Sequence, residues 1–359
     1  MRLSRIKHYI KQIMPYRMVL KYEEKRDFFA QYFAWKESNP QVEFDKDNKW
    51  ENIVSIEGFG YSGSGAVVDL LREYDDCLVH GMAEGGSKAV EAADDFGEIE
   101  LLTYPGGLID LDTALEKPFL IHQDAAIKRF GKLMFCDRIY NLGAKYRKYI
   151  YLFFDSMIDD AIRDTKGSWS PMVPRLKDNI FTLREYNKKD YYALCQQFLY
   201  SIFNLQYNGS CKYLVLDHLF LSTKMGVEYG RNFLPNMKNI VVWRDPRDIY
   251  AIAVRQNIQW LPHDTVEHFI KIMRHRYGNL DIKSKEYLSI RFEDLIFEYD
   301  KTVGKIEKYL HLGEHKRPQS CLDISISCKN VGMWKTVSDI PQEDYDKIQK
   351  AMPQFCYED

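Results

Sequence analysis

Apolar and polar positions along the chain alternate between a period of two and a period near 3.6. The run Ile53-Val54-Ser55-Ile56 is β-branched and enters a turn rich in glycine and serine, Gly58 to Gly65. Val67, Leu70 and Leu71 then mark the buried face of a helix ending near Tyr74. Cys77 to Gly81 reads as a short second strand, residues 27–49 as a lead-in helix and loop, and the small, acidic stretch 82–97 as a loop or weak helix. From Gln123 to about Phe203 the pattern is largely helical and rich in Tyr, Phe, Lys and Arg, with a hinge-like break from Gly167 to Pro174. Strands return at Lys212–Asp217, Asn239–Trp243 and Tyr287–Arg291, separated by helical patterns. Strands alternating with helices predict an α/β fold with a central parallel sheet flanked by helices. We assign it to one domain over 50–350, with a helical insertion at 123–205.

Composition narrows the class. The 359 residues carry a net charge of −2, so no global basic field points to nucleic acid. Seven Cys are scattered without any C-x-x-C pair, and the nine His show no ligand spacing, so the pattern predicts reduced thiols and no metal. No run approaches the ~18 apolar residues of a membrane span. Arg2, Arg5, Lys7, Lys11, Arg17 and Lys21 precede the first acid, Glu23, while Leu3, Ile6, Ile10 and Ile13 recur at helical spacing. Residues 1–26 therefore read as a basic amphipathic helix, suited either to an anionic membrane surface or to packing on the domain. The expected location is cytoplasmic, with peripheral contact on the cytoplasmic membrane face as an option.

The glycine turn carries the first candidate chemistry. Glycines let the backbone approach a ligand, and the N–H groups of a new helix's first turn lack intrahelical partners, so the turn suits phosphate or sulfate. Gly58-x-Gly60-x-x-Gly63 satisfies the dinucleotide fingerprint. Read instead as a nucleotide-triphosphate P-loop, it has Ser64-Gly65 where Lys-Ser/Thr is required, which argues against an NTPase. A third option is the 5′-phosphosulfate loop of sulfotransferases, whose Ser-Gly-Thr/Ser core Ser62-Gly63-Ser64 resembles.

Three later segments favour the third option. Ile240 to Trp243 followed by Arg244-Asp245-Pro246-Arg247-Asp248 resembles the 3′-phosphate-binding strand end of sulfotransferases. An Arg at such an end can grip a phosphate bidentately. Ser289 to Leu295, then Thr302 to Leu312, resembles the family's strand, Glu-Asp-Leu and helix. Ser327 to Lys335 resembles the late loop in which a Lys, a Gly and a Trp-Lys pair close over the nucleotide. The matches run in chain order over residues 53–335, and the chain resembles sulfotransferases of the bacterial polysaccharide-modifying type. The resemblance implies a P-loop-like fold and use of 3′-phosphoadenosine 5′-phosphosulfate (PAPS), with 3′-phosphoadenosine 5′-phosphate (PAP) as product and no metal. It assigns the nucleotide to Gly60, Tyr61, Ser62, Gly63, Ser64, Gly65, Ala66, Arg244, Arg247, Lys329, Gly332 and Trp334. The chain departs from the family where Tyr61 replaces a loop Lys or Arg, Ile252 a Ser, and Leu216 a basic residue.

Sulfuryl transfer needs a base for the acceptor hydroxyl and donors for the leaving group. His218, in Leu216-Asp217-His218-Leu219, lies over the catalytic His of cytosolic sulfotransferases. Glu98 lies roughly where glycan-modifying relatives place a catalytic Glu, and His80 and Glu84 are further candidates. An imidazole is poised near neutral pH without burial, so His218 is preferred to Glu98. The expected acceptor is a saccharide hydroxyl, free or on a lipid-linked glycan. The aromatic stretch 125–205 suits either a lid stacking on sugar rings or a core. Two other readings stay open: a nicotinamide-dependent oxidoreductase using the glycine turn, and a non-catalytic nucleotide- or glycan-binding protein on the same scaffold.

Overall fold

The structure is a computed structural model and describes residues 28–79, 107–117, 120–134, 144–162, 180–207, 209–219, 224–278 and 280–358. The expectations placed on residues 1–26, His80, Glu84, Glu98 and the break at 167–174 lie outside the described residues. The chain divides into two compact units, Met1–Asp45 with Tyr104–Ile202 and Lys46–Thr103 with Phe203–Asp359. The elements are α1 (Phe28–Glu37), β1 (Asn52–Glu57), α2 (Ser64–Leu71), β2 (Cys77–Val79), α3 (Leu108–Leu115), α4 (Leu120–Met134), α5 (Ala144–Met157), β3 (Ile158–Ile162), β4 (Ile180–Leu183) and α6 (Lys188–Phe203). They continue with β5 (Tyr213–Asp217), α7 (Lys224–Gly230), β6 (Lys238–Trp243), α8 (Pro246–Gln256), α9 (Val266–Tyr277) and β7 (Leu288–Arg291). The last helices are α10 (Phe292–Phe297), α11 (Tyr299–Leu310), α12 (Ile324–Ser327) and α13 (Gln342–Ala351). Among the described residues no helix is long and apolar enough to cross a membrane.

The second unit holds a five-stranded sheet in the order β2-β5-β1-β6-β7, and every pair in it is parallel. Side chains alternate faces along a strand, and both faces here are apolar. On β6, Ile240 and Val242 join a core with Val67, Leu70, Leu71, Phe292, Val303 and Ile306, whereas Val241 and Trp243 join one with Ile249, Phe269, Met273, Tyr345 and Ile348. Helices α2, α10 and α11 thus cover one face, and α8, α9 and α13 the other. Covering both faces is the condition under which an all-parallel sheet is stable. Ile56 pairs with Asp217 and Glu57 with Val241, so the carboxyl ends of β5, β1 and β6 stand side by side. The chain crosses from β5, on one flank of β1, to β6 on the other. Ligands of open α/β sheets bind at such a reversal.

The first unit is built on aromatic rings. Phe154 on α5 meets Phe28 edge-on at 5.0 Å and Tyr32 at 4.6 Å, and Phe153 stacks on Phe198 at 4.5 Å. Tyr32, Phe130, Phe153, Phe154, Tyr191 and Phe198 are all fully buried. Of the two uses open to the aromatics of 125–205, these rings serve as core. The stretch is also not helical throughout: β3 and β4 pair antiparallel within it. Their sequences, Ile158-Asp159-Asp160-Ala161-Ile162 and Ile180-Phe181-Thr182-Leu183, are short and β-branched, which a helical period scanned over a long window averages away.

Candidate active site

The loop between β1 and α2 takes conformations that side chains resist. Gly60, Tyr61 and Gly63 have φ of +78°, +55° and +90°. A Cβ on Gly63 would stand 2.3 Å from the Phe292 ring, and one on Gly60 would stand 2.4 Å from Trp260. Gly58 is needed for close approach: a Cβ there would lie 2.6 Å from Ser62 Oγ, 2.9 Å from His218 Nε2 and 3.0 Å from Ser64 Oγ. Two serines and the imidazole therefore close on one glycine. Gly63 then caps α2 in the left-handed region, and Ser64, Gly65 and Ala66, the first residues of the helix, line a cavity of about 410 Å³, with the Ala66 N–H donating back to Gly63 O at 3.1 Å.

Arg244 forms another part of the wall. It follows the last residue of β6, is 3% exposed and lines the cavity. Its Nη1 donates to Tyr61 O at 3.3 Å, its Nη2 donates to Asn330 O, and Asp248 lies 3.4 Å away. Among the described residues no acceptor meets its Nε. A buried guanidinium with an idle donor is a ready partner for an anion. Asp248 also accepts from the N–H groups of Gly332 at 2.9 Å and Trp334 at 3.0 Å, which fixes the late loop over the cavity. Ser327, Asn330 and Met333 of that loop line the cavity, with Ile252 and Gln256 from α8. Two carboxylates line it too, but neither is bare: Asp69 pairs with Arg72, and Asp217 with His218.

His218 directly follows β5 with φ +58°, and its N–H donates to Ile56 O at 2.8 Å. Nδ1 is 2.6 Å from Asp217 Oδ1. Burial disfavours the imidazolium, but the Asp217 hydrogen bond, the Asp217 charge and the Glu57 charge outweigh it. The pKa therefore lies above the usual 6.5.

The structure thus gathers Tyr61, Gly63, Ser64, Gly65, Ala66 and Arg244 around one cavity; His218 is outside the lining, next to the lining residues Asp217 and Ser64. Other expected ligand residues fall elsewhere. Arg247 is outside the cavity lining: its guanidinium is bound by Asp245 at 2.6 Å, donates to Gln349 Oε1 at 3.1 Å and Tyr357 O at 2.8 Å, and lies over the Trp334 ring at 4.3 Å. The first turn of α8 folds it back onto its own N-cap, Asp245, and Trp334, also outside the lining, covers it. Ser62 is fully buried and its Oγ accepts from Phe59 N at 3.0 Å, so it braces the turn from inside, and Gly60 seats Trp260. Gly332 gives its N–H to Asp248, and Lys329 is exposed outside the cavity lining. Asp217, Asn330, Gln256 and Trp260 were not singled out from sequence. For Asp217 a signal was present, an acid beside a histidine at a strand end.

No protein-family model matches the chain, and no curated protein matches it. Among solved structures similar to it are the sulfotransferase domain from the Synechococcus PCC 7002 olefin synthase, at 14% identity and TM-score 0.38, covering 89% of this chain and 99% of that one. The sulfotransferase domain from the curacin biosynthetic pathway matches at 14% identity and TM-score 0.40, over 86% and 98%. Sulfotransferase STF9 from Mycobacterium avium matches at 11% identity and TM-score 0.35, over 91% and 80%. These three solved proteins are sulfotransferases or sulfotransferase domains. At these scores the similarity carries no argument for activity, which has to come from the cavity's own residues.

Proposed function

We propose that the protein is a PAPS-dependent sulfotransferase acting on a saccharide hydroxyl. The observation that carries this reading is the pairing of two anion-binding elements in one cavity. The helix N-terminus at Ser64 to Ala66 and the buried guanidinium of Arg244 line the same cavity. A ligand with two separate anionic groups satisfies both, and PAPS carries a 5′-phosphosulfate and a 3′-phosphate. In this reading Arg244 grips the 3′-phosphate, and the α2 N–H groups with Ser64 Oγ hold the phosphosulfate. The acceptor oxygen attacks sulfur; the new S–O bond forms as the bond to the 5′-phosphate breaks. The proton passes to His218 Nε2, and PAP leaves with the charge that the helix N-terminus stabilises.

The acceptor class is supported by an aromatic pair beside the cavity. Tyr61, which lines the cavity, stacks on Trp260 at 5.6 Å and 14°, and both rings are exposed, a flat surface that suits the apolar face of a sugar ring. A glycan precursor, free or lipid-linked, belongs to this class. Binding is tested by thermal shift with PAP, PAPS, NAD, NADP and ATP, and chemistry by turnover of PAPS with a glycan panel. The reading expects stabilisation by PAP and PAPS above the others and a sulfated product. Stabilisation by NAD or NADP alone would replace it with the oxidoreductase, and PAP binding without turnover on any acceptor with the binding protein.

A further inference from the structure

Asp217 enters the reading above only as a wall of the cavity. We infer that Asp217 is a positioning residue that makes His218 Nε2 the proton acceptor of the site, an inference that rests on the sulfuryl-transfer reading. The backbone aims the ring first. His218 sits at φ +58°, a conformation rare for a residue with a Cβ, and two bonds from β1 hold it: Ile56 O accepts from His218 N at 2.8 Å, and Ser55 Oγ from Leu219 N at 3.3 Å. The side-chain pair then selects the tautomer. An ionised carboxylate only accepts, so the neutral imidazole places its proton on Nδ1, 2.6 Å from Asp217 Oδ1, and leaves the lone pair on Nε2. That nitrogen lies beside Gly58 with the hydroxyls of Ser62 and Ser64, and Ser64 lines the cavity. The charged groups acting on the ring are Asp217 at the end of its own strand and Glu57 on β1, while Arg244 and Asp69 line the cavity beyond. When the acceptor's proton arrives at Nε2, the Asp217 carboxylate faces the imidazolium and stabilises it.

The test is Asp217→Asn with Asp217→Glu as its conservative partner, in the full chain. Nitrogen-15 chemical shifts of His218 report tautomer and pKa without any ligand. Wild type should show the Nδ1–H tautomer and a pKa above 6.5. Asn turns its amide N–H toward Nδ1, which drives the proton to Nε2, and removal of the carboxylate lowers the pKa. With PAPS and acceptor, Asp217→Asn should lower kcat on the order of 10²-fold or more with the KM for PAPS unchanged. The residual activity should have its acidic limb at lower pH, and Asp217→Glu should restore most of the rate. Unchanged tautomer and pKa in Asp217→Asn would overturn the inference even in an active enzyme. A wild type that shows the Nδ1–H tautomer but neither binds PAP nor turns over PAPS would overturn the sulfuryl-transfer reading and leave the pairing standing.

Discussion

The ends of β5 and β6 both present charge to the cavity, and they do so in opposite ways. Behind β6, Arg244, Asp245, Arg247 and Asp248 have side chains 1–5% exposed. Charges so deep must be paired and hydrogen-bonded, and they are: Asp245 caps α8 and holds Arg247, while Asp248 holds the late loop beside Arg244. Behind β5, Asp217 and His218 are 43% and 24% exposed and share one hydrogen bond. The buried end is a rigid frame in which, among the described residues, only Arg244 Nε has no acceptor. The open end is a loose pair whose proton can move. Anion binding favours the first arrangement and proton transfer the second.

His218→Ala should break the open end's function most severely. Loss of a general base costs about 10²–10⁴ in kcat, and PAP affinity should hold because the imidazole is outside the anion frame. Retention of more than about a tenth of the wild-type rate would fall short of that range and move the base to another group, Glu98 first among them.

Arg247→Ala tests whether the buried end is frame or site. It leaves Asp245 charged and buried without its bidentate partner, which costs about 3–5 kcal/mol of folding stability. The half-exposed pair offers a contrast, since Asp217→Asn should change stability by roughly 1 kcal/mol or less. Urea unfolding of both variants measures the difference. An Arg247→Ala protein as stable as wild type but weakened toward PAP would return Arg247 to the ligand site.

Glu293 sharpens the comparison through pH. Its Oε1 accepts from Asp245 N at 2.9 Å, its Oε2 has no partner among the described residues, and burial pushes the carboxyl up to about 7. Between the ordinary 4.5 and about 7 the folded state keeps a proton that the unfolded chain releases. Stability is therefore fully present below that window and falls as pH rises through it, by roughly 3 kcal/mol at most. Glu293→Gln keeps an acceptor for Asp245 N and removes the titration. Urea unfolding from pH 5 to 8.5 should show the variant gaining on wild type as pH rises. A constant gap would place the titration outside that range.

The frame was more legible in the sequence than its division of labour. The β-branched run into Gly58–Gly65 and the strand ending just before Arg244 follow from local spacing, and both stand where that spacing put them. Arg244 and Arg247 look alike in sequence, one residue before a Pro and one after. What separates them is Gln349 and Tyr357, brought in from more than a hundred residues away, and no local pattern reports that. Ser62 and Ser64 likewise read as equal hydroxyls, but at a left-handed turn one faces the loop's interior and the other the cavity. The antiparallel pair β3–β4 was missed because each strand is shorter than a helical window.

The gentlest expected loss is also the most discriminating. Arg244→Ala removes the frame's guanidinium that lines the cavity, so a ligand with a 3′-phosphate should lose about 2–3 kcal/mol, roughly 30- to 150-fold in Kd. Arg244 also donates to Tyr61 O and Asn330 O, one from each loop over the cavity. Its loss therefore has two routes to weaker binding, directly through the phosphate or indirectly through loops that shift. An analogue of PAP lacking the 3′-phosphate separates them, because it meets the same loops without the contact. Titration calorimetry of both ligands against both proteins should show the full loss for PAP and little for the analogue. Equal losses would make Arg244 a tie between loops, and the frame at the end of β6 would then be structural throughout.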